Sequence, residues 1–180
     1  MEIVSITEEA KAGIVALCNR AVTLEYVMIV NYPRIIDHIR NFEKIEDAQI
    51  LQDIDSLGRE SLGHFNKVDR IVNYLGGTIR WEADMLPRLV GVEDMLGIQL
   101  DKEREALATY TQAKEIALNN KKNIKIGGFM DRLLGKDLST VIPLSQVVND
   151  LNMLISDEDR HARLAEDIIA THKSLISKKV

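Results

Sequence analysis

The chain is short of several residue types, and each shortage excludes something. It has one cysteine, Cys18, in 180 residues. No disulfide framework and no four-cysteine metal site can therefore form within one chain. Prolines number three and aromatics make up 4%, a mix that favours long helices over a turn-rich sandwich or barrel. Basic residues adjoin only at Lys121-Lys122 and Lys178-Lys179 within a net charge of −5. Without a basic stripe, no nucleic-acid partner is expected. No uninterrupted apolar run approaches about 18 residues, so no membrane partner is expected either. The first twenty residues include Glu2, Glu8, Glu9 and Lys11, which does not suit a secretory leader. The cytoplasm is the default compartment.

What is present suits a globular protein. Apolar residues are 46% and charged residues 28%, which argues against wholesale disorder. At ~150 residues per domain the chain reads as one domain over 1–180. A chain this long buries roughly 70% of its unfolded surface and needs no metal merely to fold.

Four long helices are expected. Thr7 suits an N-cap, with Glu8 and Glu9 in the first turn. Ile14, Leu17, Ala21, Leu24, Met28 and Ile35 follow at helical spacing, placing helix one at about 7–40. Pro33 should bend it. Helix two spans about 44–75 and stops at Gly76-Gly77. Gly58 and Gly63 inside it cost roughly 1 kcal/mol each relative to Ala, so they mark close packing or an irregularity near Glu60. Residues 78–96, with Trp81, Pro87 and Gly91, form a connection. Helix three spans about 96–119 and helix four about 144–176. The stretch 121–143 is a long inserted connection, with a short helix expected from Phe129 to Leu134. A 30-residue helix is ~45 Å long. The 78–96 connection can return across that length at ~3.3 Å per residue. Helices two and three are then parallel, as in an all-α four-helix bundle with one long crossover between them.

Each helix places carboxylates, with or without histidine, on one face. Helix one has Glu25, seven residues before Tyr32. Helix two has Glu60 and His64. Helix three has Glu103, then Ala106 and Tyr110. Helix four has Glu158 and His161 in Asp157-Glu158-Asp159-Arg160-His161. Spacings of three, four and seven keep side chains on a common face. Buried carboxylates need compensating cations, and carboxylate with imidazole suits iron, manganese or zinc. One Glu from each of two helices, plus a Glu–His pair from each of the others, is a dinuclear ligand pattern. Taken singly, each pair also fits an ordinary solvent-facing helix pair. Glu25 fits that reading least, because its neighbours Leu24, Tyr26, Val27, Met28 and Ile29 are apolar. Glu103 is preferred over Glu105 for its spacing to Tyr110.

Across all four helices the sequence resembles the ferritin-like di-iron carboxylate proteins, close to bacterioferritin and rubrerythrin. The matching elements are Glu25 seven before Tyr32, Glu103-x-x-Ala106-x-x-x-Tyr110, and Glu158-x-x-His161. The second helix departs from the family's Glu-x-x-His: here Glu60 stands four before His64, and Ser61 stands three before it. A π-bulge absorbing the extra residue, a tolerated four-residue spacing, or one weakly held metal would each accommodate this. The resemblance implies two iron ions, or manganese, with Glu60 and Glu158 bridging, Glu25 and Glu103 terminal, and His64 and His161 capping one ion each. Tyr32 and Tyr110 would contact the bridging glutamates or shuttle an electron.

The implied activity is ferroxidase- or peroxidase-type, towards oxygen or peroxide. A separate electron donor is implied because no four-cysteine iron site is available. Haem is not expected, since no methionine lies between 44 and 75. A homodimer through helices one and two is expected by analogy. Two other readings stand beside this one. One is a non-catalytic dimerisation module with a degraded site, favoured by the shifted Glu60. The other is an iron-storage subunit, disfavoured because the tail after His161 reads as one continued helix. Cys18 is expected as a small buried hydrophobe on helix one. His38 and His172 lack a glutamate at helical spacing and are expected at the surface.

Overall fold

The computed structural model describes residues 2–80, 91–125 and 144–178. The elements in chain order are β1 (Glu2–Ile6), α1 (Glu8–Asn41), α2 (Ala48–Tyr74), α3 (Val92–Asn119), β2 (Lys121–Lys125) and α4 (Leu144–Ser177). The four expected helices are all present. Trp81, Pro87, and the expected helix from Phe129 to Leu134 lie outside the described residues.

Local chemistry sets the helix ends. The Thr7 hydroxyl accepts from the Ala10 N–H at 3.3 Å and caps α1. The Asp47 carboxylate accepts from the N–H groups of Gln49 and Ile50, both at 3.0 Å, and caps α2. That cap starts α2 later than the apolar pattern suggested, because Ile45 is buried ahead of it without being helical. At the other end, Gly76 takes a φ of 72°, and the N–H of Gly77 reaches back to the Val72 carbonyl at 2.9 Å. The left-handed residue and the long return bond are the usual glycine ending of a helix. α1 runs without interruption through Pro33.

Contacts at the helix ends show the chain direction. His172 near the end of α4 meets Glu43, just past α1, at 2.6 Å. Lys173 lies 3.8 Å from Glu93 at the start of α3. At the opposite end, Asn19 near the start of α1 bonds the Thr78 carbonyl and the Arg80 N–H after α2. Thus α1 and α4 run one way and α2 and α3 the other, as the crossover requires. α1 packs on α2 and on α3, α3 packs on α4, and α2 meets α4 along a looser seam.

Two features were not expected. β1 and β2 pair antiparallel, with Ile3 opposite Ile124 and Ile6 opposite Lys121. This short ladder joins the start of α1 to the end of α3, and the Thr7 N–H extends it to the Asn120 carbonyl at 3.2 Å. The second feature is α1 itself. Among the described residues it is the one helix long and apolar enough, by length and composition, to cross a membrane. Its apolar residues are spread along the helix rather than joined in one run, and half of the relevant window is buried inside the bundle.

Candidate metal centre

The bundle core is mostly apolar, and its buried carboxylates lie at mid-height. Ile14, Leu24, Met28, Ile54, Leu57, Ile71, Leu96, Leu151 and Leu154 are all fully enclosed. Among them, Glu25, Glu103, Glu158 and His161 show no exposure at all, and His64 is 2% exposed. Each helix contributes: Glu25 from α1, His64 from α2, Glu103 from α3, and Glu158 with His161 from α4.

These side chains converge. His64 Nδ1 lies 2.6 Å from Glu158 Oε1 and 3.5 Å from Glu25 Oε1. His161 Nδ1 lies 3.4 Å from Glu103 Oε2. The two imidazole rings stack with centroids 5.0 Å apart. One donor atom each from His64, Glu158 and His161 fit within 4.8 Å of one another. Glu25 pairs with His64 on one side and Glu103 with His161 on the other, while Glu158 sits between.

The outer nitrogens of both histidines and one oxygen each of Glu25 and Glu103 have hydrogen-bond partners. Tyr110 donates its hydroxyl to Glu25 Oε1 at 2.7 Å, and Tyr32 donates to Glu103 Oε1. Each tyrosine therefore serves the glutamate of the other helix, not the one seven residues before it. His64 Nε2 lies 3.3 Å from Asp157 Oδ2, and His161 Nε2 lies 3.1 Å from Glu60 Oε2. Lys67 backs Asp157 at 3.1 Å, and Arg160 pairs with Glu60. Glu25 Oε2, Glu103 Oε2, both oxygens of Glu158, and the Nδ1 atoms of His64 and His161 are buried without a hydrogen-bond partner. Buried polar atoms are rarely left so.

The electrostatics follow from this crowding. Burial first, and then the charges of Glu25 and Glu103, push the Glu158 carboxyl well above its usual range. Burial also pushes Glu103 upward, but its neighbours, His161 foremost, hold it below the usual value. Burial disfavours a charged His161; Glu103 and Glu60 outweigh this and raise its pKa. Burial and the nearby carboxylates keep both tyrosine hydroxyls protonated far beyond the ordinary range. One site therefore holds three carboxylates and two imidazoles, with bare donor atoms turned towards one another. Nitrogen and oxygen donors in this mixture fit a transition metal.

Glu60 stands apart from the other predicted ligands. Its side chain is 37% exposed and engages Arg160 at the seam between α2 and α4. α2 is α-helical throughout Ala48–Tyr74, so no widened turn brings Glu60 inward. Ser61 occupies the buried face instead, with its hydroxyl donating to the Leu57 carbonyl at 3.1 Å. The outer partners Asp157 and Glu60 were not foreseen in that role. A signal existed: both histidines carry an acid four residues before them. His172 also differs from expectation, being 1% exposed and bonded to Glu43. Cys18 is buried as expected.

Solved structures share the fold of this chain. No protein-family model matches the sequence, and no curated protein matches it. Solved structures do. A ferritin-like, diiron-carboxylate protein from Bacillus anthracis superposes with a TM-score of 0.66 over 89% of this chain and 97% of that one, at 18% identity. The fold is ferritin-like. The bacterioferritin of Rhodobacter capsulatus, described with a metal-free dinuclear site and haem iron, gives a TM-score of 0.59 over 91% of this chain and 88% of its own, at 21% identity. The bacterioferritin-related protein of Bacteroides fragilis, a dodecameric thioferritin, gives 0.65 over 97% and 92%, at 11% identity. In this ferritin-like bundle the buried acids and histidines sit at mid-height, where all four helices converge.

Proposed function

We propose that the chain is a dinuclear carboxylate metalloprotein, loaded with iron or manganese, whose redox chemistry acts on oxygen or peroxide. The observation supporting this reading is the set of donor atoms on five buried side chains, none with a partner in hydrogen-bonding geometry, although His64 Nδ1 and Glu158 Oε1 face each other at 2.6 Å. Three enclosed carboxylates would repel one another severely without cations between them. Glu25 and His64 would hold one ion, Glu103 and His161 the other, and Glu158 would be shared. A bound pair of iron ions supplies electrons to a small oxidant without needing an organic cofactor.

The chain's own residues prepare that chemistry. Asp157 and Glu60 each accept from the outer nitrogen of a histidine, which turns a bare Nδ1 inward. Tyr110 holds Glu25 Oε1, the oxygen that also faces His64, and Tyr32 holds Glu103 Oε1 and leaves Oε2 towards His161. The surrounding leucines and isoleucines exclude water, so the carboxylates interact at low dielectric. Glu60 thus serves as a positioning residue.

Metal analysis and oxidation kinetics test the reading. The protein reconstituted with Fe(II) should bind close to two ions per chain and oxidise them on addition of peroxide or oxygen, followed by absorbance. Absence of oxidation with either oxidant would refute the redox function. Uptake below about half an equivalent per chain would favour the second reading, a structural module with an altered site, for which Ser61 is the supporting observation. A separate electron donor, a homodimer and a cytoplasmic setting belong to the same proposal, and so does the absence of haem: α2 contains no methionine to ligate one. The Bacteroides fragilis neighbour is a dodecamer, so solution size decides between a small assembly and a storage shell.

A further inference from the structure

The two histidine-bearing helices follow one pattern. In α4 the order is Asp157, Glu158, two residues, His161. In α2 it is Glu60, Ser61, two residues, His64. The structure gives matching positions matching roles. The first acid of each helix accepts from the outer nitrogen of the other helix's histidine. Both histidines turn an unpartnered Nδ1 inward, and their rings stack. By this correspondence Ser61 stands where Glu158 stands on α4. It is fully buried, and its hydroxyl is spent on its own helix, at the Leu57 carbonyl. Glu60 does not substitute for it, being held by Arg160 at the seam.

We infer that the α2 side of the centre is an open coordination position for a small exogenous carboxylate-like anion, left by serine where the opposite helix supplies glutamate. The inference rests on the metal-centre reading. Charge and size both point this way. Three carboxylates facing two divalent ions leave one positive charge, and a monoanion neutralises it. Beyond Cβ, a glutamate carries an acetate-sized CH2–COO⁻ group where serine carries a hydroxyl. The adjoining seam is the looser one in the bundle, and there the half-exposed Arg160, ion-paired with Glu60, lies 3.3 Å from His161.

The full chain loaded with Co(II) provides the test, with metal content measured and visible ligand-field bands recorded during acetate and azide titrations. Wild type should hold two ions per chain and show a saturable spectral shift with each anion. Ser61→Glu should hold two ions and lose the shift, because its own carboxylate fills the position. Ser61→Ala, which removes only the hydroxyl, should keep the shift, and it carries the test if Ser61→Glu fails to fold by circular dichroism. Two bound ions with no anion response in wild type would overturn the inference while leaving the metal centre standing. So would an undiminished response in a folded Ser61→Glu, or loss of the response in Ser61→Ala. Failure to take up cobalt at all would remove the metal-centre reading, and this inference with it.

Discussion

Cys18 shows how burial alone sets a residue's chemistry. It lies on α1 seven residues before Glu25, fully enclosed, and burial pushes its thiol from 9.0 up to about 12. Well below pH 9.0 the thiol is protonated both folded and unfolded, so it contributes no slope. Between 9.0 and about 12 the unfolded chain releases a proton that the folded chain keeps, and stability falls as pH rises. Chemical denaturation of wild type and Cys18→Ala from about pH 8 to about pH 10.5 should show the steeper loss in wild type. A thiol reagent should label native Cys18 no faster than global unfolding permits. Burial of Cys18 was legible in the sequence because it continues the apolar stripe of helix one. The partners of Tyr32 and Tyr110 were not. Spacing places each near its own helix's glutamate, whereas packing of α1 on α3 gives each hydroxyl to the glutamate across the interface. His172 was misread for a related reason: its partner, Glu43, is 129 residues away in sequence.

At the scale of the element, the two glycines inside α2 separate packing from propensity. A Cβ built on Gly58 would lie 3.1 Å from the Cβ of Tyr32, a rigid point on α1, whereas nothing lies within 4 Å of one built on Gly63. Gly63→Ala should therefore gain about 0.5–1 kcal/mol of stability from reduced backbone entropy alone. Gly58→Ala should lose stability despite the same propensity gain, because α1 and α2 must separate or Tyr32 must shift from Glu103. Paired denaturation midpoints decide, and equal gains in both variants would show that the close approach is not felt. Helix existence was legible because apolar spacing and caps agree over long stretches. The start of α3 at Val92 was not, since Gly91 reads as part of the connection. The strands were missed because a five-residue ladder between chain positions far apart leaves no local period, and Lys121-Lys122 reads as solvent-facing. Helix two carried its departure openly in the sequence. The side chain that fills the interior, however, is Ser61 in regular helical register, with Glu60 turned to Arg160.

For the whole molecule, the buried site couples stability to metal. Without cations, the enclosed Glu158 carboxylate, crowded by Glu25 and Glu103, opposes folding, and its raised proton affinity is the symptom of that repulsion. An ion that binds the folded chain alone stabilises it by about 2.7 kcal/mol at a hundredfold excess over its dissociation constant. For a chain of this size, that corresponds to a rise in Tm of about 5–11 °C per site. Adding Fe(II) or Co(II) under anaerobic conditions should raise the Tm by at least that amount, and a chelator should reverse it. Glu158→Met separates the two halves of the argument. Replacing the central carboxyl with an apolar side chain of similar length should stabilise the metal-free protein, because it relieves the crowding by Glu25 and Glu103. It should also remove most of the metal-induced rise, because both halves of the site lose their shared donor. The opposite pattern, a less stable metal-free variant whose Tm still climbs with metal, would mean that Glu158 serves the fold and that ions bind elsewhere. The expected pattern has a functional reason. A chain holding three enclosed carboxylates with bare inward oxygens sacrifices metal-free stability, and that sacrifice is understandable only if binding recovers it.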